Sequence, residues 1–123
     1  MKFAKITFLI AGIYGLLALI PMFFLETQYG TDNPPAITHP EFYYGFIGVA
    51  VAFQIVFLII SRDPARYRAM IVPSIVEKFS FVIAVAILVS AGRTSGQIVL
   101  GAAIDAVLGT LFTISWFKLG KGE

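Results

Sequence analysis

A chain of 123 residues that is 59% hydrophobic and 13% charged, with a mean hydropathy of +0.89, is too apolar for a soluble domain. A formal net charge of +2 gives no basis for nucleic-acid binding. The absence of cysteine and a single histidine, His39, exclude disulfide exchange, iron–sulfur clusters, thiolate-ligated haem and a bis-histidine haem within one protomer; a zinc site would have to draw most of its ligands from carboxylates, so neither metal nor cofactor is expected.

Four apolar stretches follow one another, roughly Phe3–Leu25, Phe42–Ser61, Ala69–Ser90 and Ile98–Phe117. Each suits a bilayer core of about 30 Å at about 1.5 Å of rise per residue. The first follows Met1-Lys2-Phe3-Ala4-Lys5, which resembles the basic start of a signal peptide. Its apolar run is too long for a signal core and no small-residue cleavage site follows Pro21, so an uncleaved helix over 3–25 is expected. Pro21 removes one amide and frees the carbonyl of Leu17. The loop from Glu26 to Glu41 is acidic, holds Asn33-Pro34-Pro35, and reads as an ordered turn.

Thr38-His39-Pro40-Glu41 then caps the second span, 42–61, either as a capping box or with His39 itself at the cap. Asp63-Pro64 reads as an N-cap followed by proline at the first helical position, which starts the third helix near Pro64 and gives it the span 64–90. The fourth span is 98–117. Spans and short connections use nearly the whole length, leaving one membrane domain over 1–123 and an all-α, four-transmembrane-helix bundle.

Lys2, Lys5, Arg62, Arg66, Arg68, Lys118 and Lys121 gather at one side, Arg93 alone at the other, and Lys78 lies within a span. The positive-inside rule therefore puts both termini in the cytoplasm. Small dual-topology multidrug transporters have a similar length and an intramembrane glutamate. Their insertion in both orientations needs a weak charge bias, and their carboxylate lies in the first helix, which has none here. Phe23, Phe24, Tyr43 and Tyr44 on one side and Tyr67 and Trp116 on the other form the usual interfacial belts.

Charges inside the spans are the informative departure from this pattern, at on the order of 2.5–3.5 kcal/mol each by insertion scales. Glu77, Gln54, Thr110 and Tyr14 fall at similar depths, about 10–14 Å from the cytoplasmic boundary by helix rise. They form either an interhelical hydrogen-bonded network or a ligand- or proton-binding layer. Asp105 sits nearer the far side, in Gly101-x3-Asp105-x3-Gly109, whose spacing puts all three on one close-packing face. Side chains tilt toward their own helix N-terminus, so Lys78 leans to the cytoplasm and Asp105 away from it. A direct Lys78–Asp105 bridge is therefore disfavoured, and Lys78 is expected to snorkel toward the inner headgroups. Pro73, one turn before Glu77, would kink the helix beside the carboxylate. His39 and Glu41 near the outer mouth are either an acid–base pair or plain helix caps.

His39-Pro40-Glu41-Phe42-Tyr43-Tyr44-Gly45-Phe46, Phe53-Gln54, Arg62-Asp63-Pro64 with Arg66-Tyr67, Pro73 and Glu77-Lys78 together resemble the BphX-like and DoxX-like small four-helix proteins. The likeness covers the second and third helices, about a third of the chain. It implies a compact bundle in a bacterial inner membrane, and for some DoxX-type members a role as a membrane subunit in quinone-coupled sulfur oxidation. A more distant likeness is to four-helix sterol isomerases, although their catalytic histidine lies within the membrane and His39 does not.

Three functions follow. The first is an accessory or scaffold component of a larger membrane complex. The second is a binding protein or enzyme for a quinone, sterol-like or aromatic molecule held by Tyr14, Gln54, Glu77 and Asp105, with His39 and Glu41 at the mouth. The third is a small proton-coupled transporter, which would require a homo-oligomer packed through Gly12-x2-Gly15 or Gly45-x2-Gly48.

Overall fold

A computed structural model describes residues 1–120. Helix α1 (Lys2–Leu19) tightens into a 3-10 turn over Ile20–Phe24, followed by the short α2 (Glu26–Asp32). Helix α3 spans Pro40–Arg62; a 3-10 turn at Arg68–Met70 leads into α4 (Ile71–Ser90), and α5 covers Gln97–Gly120. Four helical segments, Lys2–Phe24, Pro40–Arg62, Arg68–Ser90 and Gln97–Gly120, are long and apolar enough to cross a membrane. Only 22–28% of the most apolar window of each is buried in the bundle, so most of the apolar surface is left for lipid. The chain is a small multi-pass membrane protein with an all-α, four-helix bundle fold.

Helix α1 packs most closely on α3 and α4 on α5; α1 against α5 and a lighter α3–α4 contact close the ring. Both described termini lie at one end, where Lys118 sits 5.2 Å from the ring centre of Phe3. Arg68 joins them there, donating from Nε and Nη2 to the Trp116 carbonyl (3.1 and 2.9 Å) and stacking 3.6 Å from its ring. We call this the basic end and the opposite one, carrying α2 and the 91–96 turn, the loop end. Lys121, counted with the basic residues, lies outside the described residues.

Proline chemistry sets several boundaries. At Pro21 the α-helix gives way to the 3-10 turn, as the loss of its amide requires. Asp63 is extended (φ −154°, ψ 78°) because the residue before a proline is forced out of the helical region, and it ends α3. Its Oδ1 accepts from the Arg66 amide (3.3 Å) within a turn rather than capping a helix, so the expected start of the third helix near Pro64 is wrong by about two turns. Pro73 consequently falls in the first turn of α4, where its missing amide removes little, so the cause given for a kink there falls away. The loop-end connection closes with Gly92 in the left-handed region (φ 70°). Its amide bonds Val89 (2.9 Å) and the Arg93 amide reaches Leu88 (2.8 Å), the Schellman arrangement that ends α4.

The core lies toward the basic end. Phe8, Phe57 and Phe112 are fully buried; Phe8 stacks on Phe112 with centroids 4.1 Å apart, and Phe57 meets Phe112 edge-on at 4.9 Å. Ala4, Ala11, Ile60, Ile71, Leu108 and Leu119 complete this cluster.

Candidate functional site

Above the aromatic cluster the helices line a half-open cavity of about 390 Å³ that runs toward the loop end. Its floor is polar. Gln54 enters from α3 and is 1% exposed, and α1 accommodates it only because residue 15 is glycine: a Cβ there would overlap the Gln54 amide. Gln54 Nε2 donates to the Ala50 carbonyl (2.8 Å), which fixes the amide orientation and leaves Oε1 buried without a hydrogen-bond partner.

From α4 and α5 come the charges. Lys78, 4% exposed, donates from Nζ to Asp105 Oδ1 (3.3 Å) and lies 3.5 Å from Glu77 Oε1. The second contact is a longer ion pair without hydrogen-bond geometry, so Glu77 Oε1 is buried with a charge partner but without a hydrogen bond. This overturns the expectation that Lys78 snorkels away from Asp105. The Lys78 Cβ is level with Gly109, against which it packs, about one turn nearer the basic end than Asp105. Its stem is long enough to cover that turn against the usual tilt. In the other direction lies the Phe8–Phe57–Phe112 cluster, with Nζ already 5.1 Å from the Phe57 ring centre. An ammonium pointed there would be buried without an oxygen partner, which costs more than an unfavourable stem angle.

Tyr14, Gln54, Glu77 and Asp105 all line this one cavity. Thr110 does not join them: it is exposed, and its hydroxyl donates to the Ala106 carbonyl (2.8 Å). His39 and Glu41 are also exposed and do not line the cavity. His39 occupies the N-cap position of α3, yet no side chain bonds the helix start there; Pro40 at the first helical position supplies the helical φ instead. Of the two glycine pairs, Gly12 and Gly15 are consumed inside the protomer against Leu58 and Gln54, whereas Gly45 and Gly48 face open space.

Residues not anticipated at the site include Lys78, Phe46, Phe81 and Tyr29. Helical spacing carries the signal for two of these. Phe46, Ala50 and Gln54 recur every four residues on α3, and Phe81 follows Glu77 at the same spacing on α4. Tyr29 belongs to α2, a helix that the reading of this loop as a turn missed. Gly30 of α2 packs on the backbone of Ala36, and the Tyr29 ring lies 5.6 Å from that of Tyr43. Tyr43 donates to the Met22 carbonyl (2.7 Å) and Tyr44 to Glu26 Oε1 (3.0 Å), tying the loop-end elements to α3. Burial raises the Tyr29 hydroxyl above the usual phenol range, so it is a neutral donor at the cavity's loop end. A shallower groove between α3 and α4, lined by Phe53, Val76 and Ser80 among others, also reaches Glu77.

No family model matches this chain, and no curated protein or solved structure is significantly similar to it.

Proposed function

We propose that this membrane protein binds a lipophilic small molecule in the loop-end cavity, with the polar end of the ligand on Gln54, Glu77 and Asp105. The single observation that carries this reading is the pair of buried acceptors, Gln54 Oε1 and Glu77 Oε1, left without hydrogen bonds beside a cavity of about 390 Å³. Each unmet acceptor costs about 1–3 kcal/mol when buried. A layer serving only to hold helices together would be expected to saturate itself. The volume falls within the range of about 300–1,000 Å³ typical of small-molecule sites, and apolar walls around a few polar groups are the usual lining.

The same geometry weighs against a transporter, because the cavity ends at the Phe8–Phe57–Phe112 cluster and leaves no route to the basic end. A component of a larger membrane complex is the second reading, favoured by Gly45 and Gly48, whose open face on α3 could seat a partner helix or a second copy. Membership of the BphX-like and DoxX-like group, and with it a bacterial inner-membrane location, belongs to this proposal. The gathering of basic residues at the end that carries the termini supports a cytoplasmic orientation for that end.

Native mass spectrometry of the protein released from lipid nanodiscs, with Asp105→Ala beside the wild type, tests the reading. A bound small molecule present in the wild type and lost in the variant is expected. An empty wild type, or the same adduct on both, would sink it.

A further inference from the structure

We infer that the cavity selects a lipophilic amine in its protonated form; this rests on the binding reading above and names its ligand class. Two carboxylic side chains, Glu77 and Asp105, face one ammonium, Lys78. Every other element packed around the cavity brings neutral groups: Tyr14 from α1, Tyr29 from α2, Gln54 from α3 and Gln97 beside Asp105 on α5. Among the described residues the remaining basic side chains lie at the basic end, except Arg93, which is exposed on the loop-end turn. The polar floor therefore holds one more carboxylic group than ammonium groups.

The hydrogen-bond inventory points the same way. Gln54 Oε1 and Glu77 Oε1 make no hydrogen bond, the latter holding only the longer ion pair to Lys78, and both carboxylic side chains keep about a fifth of their surface accessible, 19% and 20%. An ammonium brings three donors and no acceptor, matching the two buried acceptors that lack hydrogen bonds. A carboxylate or phosphate would meet both carboxylic side chains, and the one cation within reach, Lys78, is already shared between Asp105 and Glu77. A hydroxyl would satisfy one acceptor and bring no cation to the second carboxylic group. The rings of Tyr14, Tyr29, Phe46 and Phe81 along the walls favour a cation carried on a hydrocarbon body, through their faces as well as their apolar area.

The test compares phenylbutylamine, phenylbutanol and phenylbutyrate, which share one skeleton under a cationic, a neutral and an anionic head. Binding to the full chain in nanodiscs is measured by titration calorimetry at neutral pH, with empty nanodiscs subtracting the partition into lipid. The amine should bind at least about tenfold more tightly than the alcohol, with the butyrate weakest. Asp105→Asn and, independently, Glu77→Gln should each reduce amine affinity by about tenfold and alcohol affinity by clearly less, with an unchanged helical circular-dichroism spectrum, so that loss of fold is told apart from loss of charge. If the alcohol or the butyrate equals the amine, or if both variants keep the amine preference, the inference fails and the cavity reading stands. Absence of binding by all three overturns both.

Discussion

The two halves of the bundle are built from the same four helices and differ in the volume of what those helices turn inward. Toward the basic end the inward positions hold Phe8, Phe57 and Phe112, and the rings fill the axis completely. Toward the loop end they hold Gly15, Ala18, Ala50 and Gly101, and the axis stays open. Both halves are mainly apolar, so hydropathy does not separate them. In lipid no hydrophobic gain drives one helix onto another, and close contact depends on packing and polar bonds. Where small residues such as Gly15, Ala18, Ala50 and Gly101 face the axis it therefore stays hollow, even with the rings of Tyr14, Phe46 and Phe81 along its walls. Lys78 lies at the junction, with its stem against Gly109 and Phe57 and its ammonium among the oxygens of the floor.

The sharpest way to break this comparison is to hollow the closed half. Phe112→Ala removes a ring stacked on Phe8 and set edge-on to Phe57. Truncation of a buried phenylalanine costs about 3–5 kcal/mol, and the low end, about 3 kcal/mol, is expected because the loss in a bilayer is mainly packing. Reversible unfolding in mixed micelles measures it; a loss below about 1 kcal/mol would mean that the basic end is not the stabilising core.

Next in size is the junction. Lys78→Met leaves two carboxylic groups without a cation, and breaking a buried pair in this way costs about 3–5 kcal/mol when burial is complete. Glu77 and Asp105 remain partly accessible, so about 2 kcal/mol is expected. Adding Asp105→Asn should recover roughly half of that, because one of the two stranded charges is gone. A double variant no more stable than Lys78→Met would deny the coupling.

How much of this was legible beforehand depends on which coordinate is asked for. The four spans follow from hydropathy and length, and the polar depth of Gln54 and Glu77 follows from counting residues. Axial offset between helices does not. The tilt of side chains toward each helix N-terminus argued against the Lys78–Asp105 pair, and it was outweighed because the lysine stem spans the turn that separates them. Aromatic plugging at the basic end was equally hidden, since Phe8, Phe57 and Phe112 are only three of 12 phenylalanines in a chain where most face lipid or interface. The cap position of His39 was legible, though not whether its side chain would bond the helix start, and the cap read at Asp63 was not there.

A pair of glycine substitutions sharpens the picture within the open half. A Cβ on Gly15 collides with the Gln54 amide, whereas one on Gly101 meets nothing within 4 Å, although both glycines line the same cavity. Gly15→Ala should therefore cost about 1–2 kcal/mol through displacement of Gln54. Gly101→Ala should be neutral or stabilising by a few tenths, since alanine is the better helix former. Equal destabilisation by the two would contradict the account of Gly15 as the slot for Gln54.

The smallest expected effect tests which face of α5 looks inward. Thr110 and Asp105 share a helix and are five residues apart, which separates them by about 140° at about 100° per residue. They cannot both point to one cavity, and Asp105 is the one bonded to Lys78. Thr110 instead faces outward and returns its hydroxyl to the Ala106 carbonyl, so it presents little polarity to lipid. Valine has nearly the same shape, and the Ala106 carbonyl keeps its helical amide partner. Thr110→Val should change stability by less than about 0.5 kcal/mol and leave ligand binding unaltered. A binding loss in this variant would place Thr110 at the site after all, and would require α5 to be rotated by more than a third of a turn.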